Sequence, residues 1–371
     1  MTKLARQVLN PARMLHPAWY HGHDKRPPFF EGWYFKLVEA GGQHRYAIIP
    51  GIFKSDDPAQ HHAFVQVLDG TTGQATYHRF PVESFRAARD RFEVTIGANR
   101  FTEDYISLQL SGNGQTLYGE IHFEGLTPWP VTLLSPGIMG WYAWVPTMEC
   151  YHGVLSLDHT LRGAWAVDGQ AIDWNNGRGY IEKDWGVSFP SAWIWLQTNH
   201  FAPTTLVGSQ GTSLTASVAI IPWRRTSFRG MIVGLWHGGR LYRFATYTGA
   251  KTERLEVAPD VSSGDASSGV ECVTWVLRGR PFVGGPVHQL ELRAQRASEG
   301  TRASEGTRAE GGLIRGPSTV DMGVRVAESL SASVEARLTR LGGGQAATIF
   351  EGTGRYAGLE IMGDLERLLE A

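Results

Sequence analysis

FFEGWYFKLV, Phe29 to Val38, reads as a β-strand. Its aromatic residues are dense, it has no helical period, and Trp33 and Phe35 stand at i and i+2, which puts both rings on one face. Short runs of the same kind follow at Gln43–Ile49, His62–Leu68, Phe92–Ile96, Ile106–Leu110 and Leu117–Phe123, punctuated by Gly, Asp, Asn and Pro. Asp69-Gly70, Asn113-Gly114 and Asp168-Gly169 have the chemistry of hairpin turns. Evenly spaced short strands predict an all-β chain of sandwiches or barrels. Helical signal is confined to Lys3–Leu9, to Val324–Leu341, which also fits a pair of strands, and to Leu365–Leu369.

The chain has 371 residues, enough for two domains of ordinary size, and 42% hydrophobic residues allow a sizeable core. A formal net charge of -1 and the lack of a basic patch argue against nucleic acid as a partner. Cys150 and Cys272 show no paired spacing, so a disulfide framework or structural zinc is not expected and a reducing, cytoplasmic compartment fits. The N-terminus lacks the apolar run of a signal peptide, and no later segment has the roughly 18 apolar residues of a membrane span. The expectation is a soluble protein that meets any lipid substrate from the membrane surface.

Arg296–Thr301 reads RASEGT, Arg302–Thr307 repeats it, and Arg308-Ala309-Glu310 begins a third copy. Polar and aperiodic, residues 296–310 are expected to form a flexible surface insertion. A fainter echo links Glu31-Gly32-Trp33-Tyr34-Phe35 with Ala192-Trp193-Ile194-Trp195-Leu196-Gln197, each with aromatic residues at i and i+2, the form of a barrel-lining strand.

The chemistry concentrates between Ser135 and Phe201. Glu149, His152, Asp158, His159, Glu182 and Asp184 are set there among Trp141, Trp144, Trp185, Trp193 and Trp195. A single tryptophan is ordinarily a core anchor, but a dense cluster suits a flat-walled cavity. Glu182 and Asp184, at i and i+2, share a face if extended, with Lys183 pointing away. Two close carboxylates beside apolar walls can keep one proton and serve as a general acid, or can form an exposed acidic turn with Lys183 as counter-charge. His152 and Asp158 also share a strand face and could relay protons or make a structural hydrogen bond. His21-Gly22-His23-Asp24 reads as surface residues rather than a metal site. No G-x-S-x-G, phosphate-binding glycine loop, H-E-x-x-H or C-x-x-C motif occurs.

FFEGWYFK (Phe29–Lys36), SPGIMGWYAWVPTMECYHGVLSLDH (Ser135–His159), GRGYIEKDWGVSFPSAWIWLQTNHF (Gly177–Phe201) and GLEIMGDL (Gly358–Leu365) together resemble the tocopherol cyclase family across nearly the whole chain. The repeat near Arg302 departs from the family but lies outside those blocks. The family is in turn distantly similar to carotenoid hydratases and other two-lobed calycin-like proteins. The resemblance implies an all-β fold of two lipocalin/calycin-like antiparallel β-barrels packed together, at residues 16–175 and 176–371. It implies acid-initiated cyclisation of a prenylated benzoquinol to a chromanol, without a metal or other cofactor. On this reading Asp184 or Glu182 is the acid, His152 and Asp158 the relay or base, and Glu149 and Glu31 are alternatives. Trp33, Trp141, Trp144, Trp185, Trp193 and Trp195 would wall the pocket and Asn199 would hold a quinol oxygen. The partner is then a hydrophobic prenylquinol-like molecule, reached by peripheral membrane contact. A non-catalytic prenylquinone carrier and an isoprenoid alkene hydratase are the competing readings.

Overall fold

The alternation of apolar and polar residues along the chain produces strands almost throughout. A computed structural model describes residues 10–202, 211–259, 271–296, 312–342 and 346–370. The chain divides into two units. The first comprises Met1–Pro190 with Ile221–Thr226 and Gly312–Val326; the second comprises Ser191–Ile220, Ser227–Gly311 and Ala327–Ala371.

The first sheet contains β1 (Phe29–Val38), β2 (Arg45–Lys54), β3 (His62–Asp69), β4 (Ala75–Phe80), β5 (Phe85–Ala87) and β6 (Glu93–Ile96). It continues with β7 (Asn99–Thr102), β8 (Tyr105–Gly112), β9 (Gln115–Glu124), β10 (Cys150–Val167), β11 (Gln170–Asp173) and β12 (Arg178–Gly186). The order is β4-β3-β2-β1-β12-β10-β9-β8-β7-β6-β5, with β11 paired to β10. Asn113-Gly114 and Asp168-Gly169 turn the β8–β9 and β10–β11 hairpins, all four residues at positive φ. The sheet curls on itself. Thr76 on β4 donates to Gln115 Oε1 at 3.0 Å, and Asn113 Nδ2 donates to the Tyr77 carbonyl at 3.0 Å, so the β4 edge meets the β8–β9 turn. Aromatic rings fill the curl: Trp33 stacks on Phe92 at 5.4 Å, and Phe35 lies 6.0 Å from Phe101 and 5.9 Å from Phe123.

The second sheet, most of whose strands fall in the second unit, is built on β13 (Ala192–Thr198), β14 (His200–Phe201), β15 (Ser213–Trp223), β16 (Thr226–His237), β17 (Arg240–Ala245), β18 (Lys251–Pro259) and β19 (Glu271–Gly279). To these are added β20 (Val287–Gln295), β21 (Gly312–Pro317), β22 (Met322–Leu341) and β23 (Ala347–Gly363). Its order is β17-β16-β15-β13-β23-β22-β20-β19-β18, with β14 on β23 and β21 on β22. This sheet also curls: Thr252 on β18 accepts from Trp275 Nε1 at 3.1 Å and reaches Met231 Sδ on β16 at 3.3 Å. The all-β architecture of two curled antiparallel sheets is therefore the one expected.

Three expectations change. The boundary expected between 175 and 176 falls at Ser191, because β12 is hydrogen-bonded between β1 and β10 at the centre of the first sheet. Val324–Leu341 is part of the single strand β22, whereas Leu365–Glu370 is helical. The aromatic echo is not repeated in three dimensions. Trp33 and Phe35 face the interior of the first unit, but the core of the second takes Ala192, Ile194 and Leu196, which leaves Trp193 and Trp195 on the opposite face of β13. Nearly all of the repeat insertion, and the helical signal at Lys3–Leu9, lie outside the described residues.

Close packing against the His159 side chain on the inner face favours glycine at residue 179. Gly179 pairs with His159, whose Nε2 lies 2.1 Å from where a Cβ on residue 179 would stand. His159 is buried and 4.6 Å from the Phe123 ring, so it has little room to yield. Gly179→Ala is expected to cost about 1–3 kcal/mol through overpacking, read as a lowered urea midpoint at unchanged m-value. A midpoint equal to that of the parent would show that His159 moves aside freely.

Candidate active site

The two-residue alternation of β12 sorts its charges onto opposite faces. Lys183 and Trp185 face the interior, as do Glu31, Trp33 and Tyr151 on the flanking strands. Glu182, Asp184 and Tyr180 take the other face, with Cys150 and His152 of β10.

The interior group is an ion pair with every donor used. Lys183 Nζ lies 2.7 Å from Glu31 Oε1 and 2.9 Å from His21 Nδ1, and it donates to the Trp19 carbonyl. His21 Nε2 meets the Arg13 carbonyl at 3.1 Å, which makes Nδ1 the acceptor. The His21 backbone N–H donates to both Glu31 oxygens at 3.0 and 2.9 Å. Trp33 and Trp185 flank the ammonium at 4.9 and 4.7 Å, and Trp185 is sandwiched between His21 at 4.3 Å and Tyr151 at 5.5 Å. Burial would raise the Glu31 pKa, but the Lys183 charge and the His21 contacts hold it below the ordinary carboxylate value. Burial draws Lys183 down to about 8 against the opposing pull of Glu31, and draws His21 down to about 4.

The opposite face carries the acid–base group. His152 Nδ1 is 2.9 Å from Asp184 Oδ1, and His152 Nε2 is 3.5 Å from Glu182 Oε2. Tyr180 donates to Glu182 Oε2 at 2.6 Å, and the Cys150 thiol reaches Asp184 Oδ1 at 3.8 Å. Burial would lower the His152 pKa; the Glu182 and Asp184 charges and the Asp184 hydrogen bond outweigh it and hold the imidazole up at about 9. His152 is therefore an imidazolium at neutral pH. The Asp184 side chain is 28% exposed, against 14% for His152 and 7% for Glu182, and the bonds described above all engage its Oδ1. Glu149, just before Cys150, is pushed up to about 7 by burial. Beside this group an apolar cluster forms from Phe30, Phe53, Phe64 and Met322, packed with Phe189 and Cys150; Phe30 and Phe189 meet edge to face at 5.4 Å.

One donor atom from each of His152, Glu182 and Asp184 fits within 4.8 Å, a spacing that can accommodate a cation. The carboxylates, however, address opposite ring nitrogens, the arrangement that suits a doubly protonated imidazole.

Several sequence assignments need correcting. Asp158 does not partner His152; it is bound by the Arg178 guanidinium through Nε at 2.9 Å and through Nη2. Glu31 is an ion-paired carboxylate, unsuited to donating a proton. Trp33 and Trp185 pack on the interior face of the sheet, across the strand plane from Glu182 and Asp184. Trp141 is 46% exposed, and Trp144 donates to the Leu133 carbonyl at 3.0 Å. Trp193, Trp195 and Asn199 lie in the second unit, where Trp193 bonds Glu360. His21, read as a surface residue, is buried against Lys183. Tyr180, Cys150 and the Phe30 cluster were missed. Tyr180 was within reach of the sequence, because i, i+2 spacing already placed it with Glu182; the cluster was not, because its members come from distant strands.

A model of the family described as tocopherol cyclase-like matches residues 120–363, and the chain belongs to that family. It is 28% identical over 184 residues to a probable chloroplastic tocopherol cyclase of Oryza sativa subsp. japonica, covering 48% of this chain and 38% of the rice protein. It is also 28% identical over 174 residues to the chloroplastic tocopherol cyclase of Zea mays, covering 46% and 36%. The matches thus span well under half of those relatives' length. Among solved structures, a putative AttH from Nitrosomonas europaea aligns over 90% of this chain and 92% of its own, with TM-score 0.46 and 13% identity.

Two measurements check the electrostatics. Lys183→Met leaves Glu31 buried without its counter-charge and is expected to destabilise by about 3–5 kcal/mol, whereas Glu31→Gln with Lys183→Met recovers much of the loss. A double variant no better than the single one would refute the pairing. For His152, the folded pKa lies above the ordinary 6.5, so the folded chain binds the extra proton more tightly. Its stabilisation is complete below about pH 6.5 and is lost as pH rises through about 9. The stability difference between parent and His152→Gln should shrink over that window; a difference independent of pH would contradict a carboxylate-held imidazolium.

Proposed function

We propose that the chain cyclises a prenylated benzoquinol to a chromanol, with Asp184 as the acid. The supporting observation is the Asp184–His152 contact: one carboxylate oxygen is held by an imidazolium while the carboxyl group stays partly exposed beside an apolar, aromatic cluster. In the reactive form Asp184 carries a proton on Oδ2 and delivers it to the prenyl double bond nearest the ring. The alkene carbon gains hydrogen and its neighbour becomes a tertiary cation. The quinol oxygen attacks that cation, closing the C–O bond, and its proton returns to the Asp184 carboxylate. The reaction is an isomerisation with no net change of protons or electrons. His152 stabilises the Asp184 carboxylate that forms, Glu182 holds His152 from the other nitrogen, and Tyr180 holds Glu182. Nearby aromatic faces such as Phe30 and Phe189 favour the cation, and exclusion of water protects it from hydration.

Product analysis with a prenylated hydroquinone tests this directly. The parent should release chromanol, and Asp184→Asn should lower turnover by roughly two to four orders of magnitude with quinol binding nearly unchanged. Normal turnover in Asp184→Asn but not in Glu149→Gln would move the acid to Glu149. Release of a tertiary alcohol would identify a hydratase, and binding without any product would identify a carrier.

A further inference from the structure

We propose that the loop from Pro130 to Trp144, together with the turn at Arg224-Arg225, is a docking surface for an anionic lipid bilayer. From Gly125 to Met148 the chain carries no Asp, Glu, Lys, Arg or His. A stretch so free of charge would ordinarily be buried, yet part of it lies at the surface. Thr132 and Ser135 bridge each other through backbone bonds of 3.0 and 3.1 Å, and the tip between them is Leu133-Leu134. Turn tips are normally occupied by Gly, Asn, Asp, Ser or Pro, which serve the turn itself. Leucine does nothing for the turn, and these two are 67% and 83% exposed, with Val131 and Trp141 also exposed.

The tip is held rigidly. Trp144 Nε1 donates to the Leu133 carbonyl at 3.0 Å, and Thr132 Oγ1 accepts from the Ser135 backbone at 3.1 Å. Both ends of the loop are anchored, by buried Trp129 on one side and buried Ile138 and Met139 on the other. The surroundings of the tip are those of a membrane interface. Trp141 stacks on Tyr142 at 4.1 Å, and Tyr142 meets Trp223 edge to face at 6.0 Å. Amphipathic rings of this kind favour the headgroup level. Arg224 and Arg225 follow Trp223 directly, are exposed, and have no carboxylate partner among the described residues. Loop and turn belong to the same unit.

Inserting leucines, an aromatic belt and exposed arginines together match an anionic bilayer. A protein partner would be better met by a continuous apolar face than by a two-residue protrusion. The loop runs directly into β10, whose first residues include Cys150 and His152, so docking would bring the start of that strand to the lipid. The surface stands independently of the proposed reaction.

Vesicle co-sedimentation of the full chain tests it. The parent should be retained by equimolar phosphatidylcholine and phosphatidylglycerol, less so by phosphatidylcholine alone, and released by salt. Leu133→Ser with Leu134→Ser should lower partitioning about tenfold or more, and Trp141→Ala, at a separate point of the patch, should also lower it. Arg224→Ser with Arg225→Ser should weaken binding to the mixed vesicles about tenfold while leaving phosphatidylcholine binding unchanged. An unaltered Tm identifies the variants as folded, as expected for exposed positions. No retention of the parent, or equal retention of parent and leucine variant, overturns the proposal. So does a parent that is dimeric, ignores vesicles and becomes monomeric on losing the leucines, since the tip would then serve a second copy of the chain.

Discussion

The contact between Lys183 and Glu31 governs how the first unit is arranged. An ammonium with no access to water is tolerable only if each of its three protons finds an acceptor, and here Glu31, His21 and the Trp19 carbonyl supply them. The requirement couples β1, β12 and the segment before β1. It also fixes which face of β12 looks inward. A slip of one residue would carry Lys183 outward and send Glu182 and Asp184 into an aromatic interior with no cation to receive them. The acid–base group thus owes its position to an interaction on the other side of the same strand.

That group follows a different electrostatic rule. The interior pair is neutral overall and closed to water. The outward group places one imidazole between two carboxylates and leaves Asp184 accessible. Its members are linked by hydrogen bonds from Tyr180 to Glu182 and between His152 and Asp184, and by a 3.5 Å ion pair between Glu182 and His152. One strand thereby carries a sealed structural ion pair and an accessible chemical group within three consecutive residues.

The chain path adds a further economy. β10 emerges from the uncharged loop at Gly125–Met148 and presents Cys150 and His152 almost at once. Buried Ile138 and Met139 alternate there with exposed Trp141, and the kink at Gly140, with φ of 58°, lets the backbone make that change of side.

Much of this was legible in the order of residues. The period-two alternation announced an all-β chain, Asn113-Gly114 and Asp168-Gly169 marked their turns, and the i, i+2 spacing of Glu182 and Asp184 placed them together with Lys183 opposite. The family blocks pointed to the correct family. These features are local, and local geometry follows from adjacent residues. What the tertiary structure decided was which distant residue each side chain met. Asp158 and His152 sit in one strand, but Arg178 took Asp158 and Asp184 took His152. Trp33 and Trp193 open similar strings, but one ring turned into a core and the other away from it. His21 looked like a surface residue until a buried lysine needed an acceptor. Sequence spacing determines the face a residue occupies on its own strand; only the packing of strands far apart in the chain determines what lies across from that face.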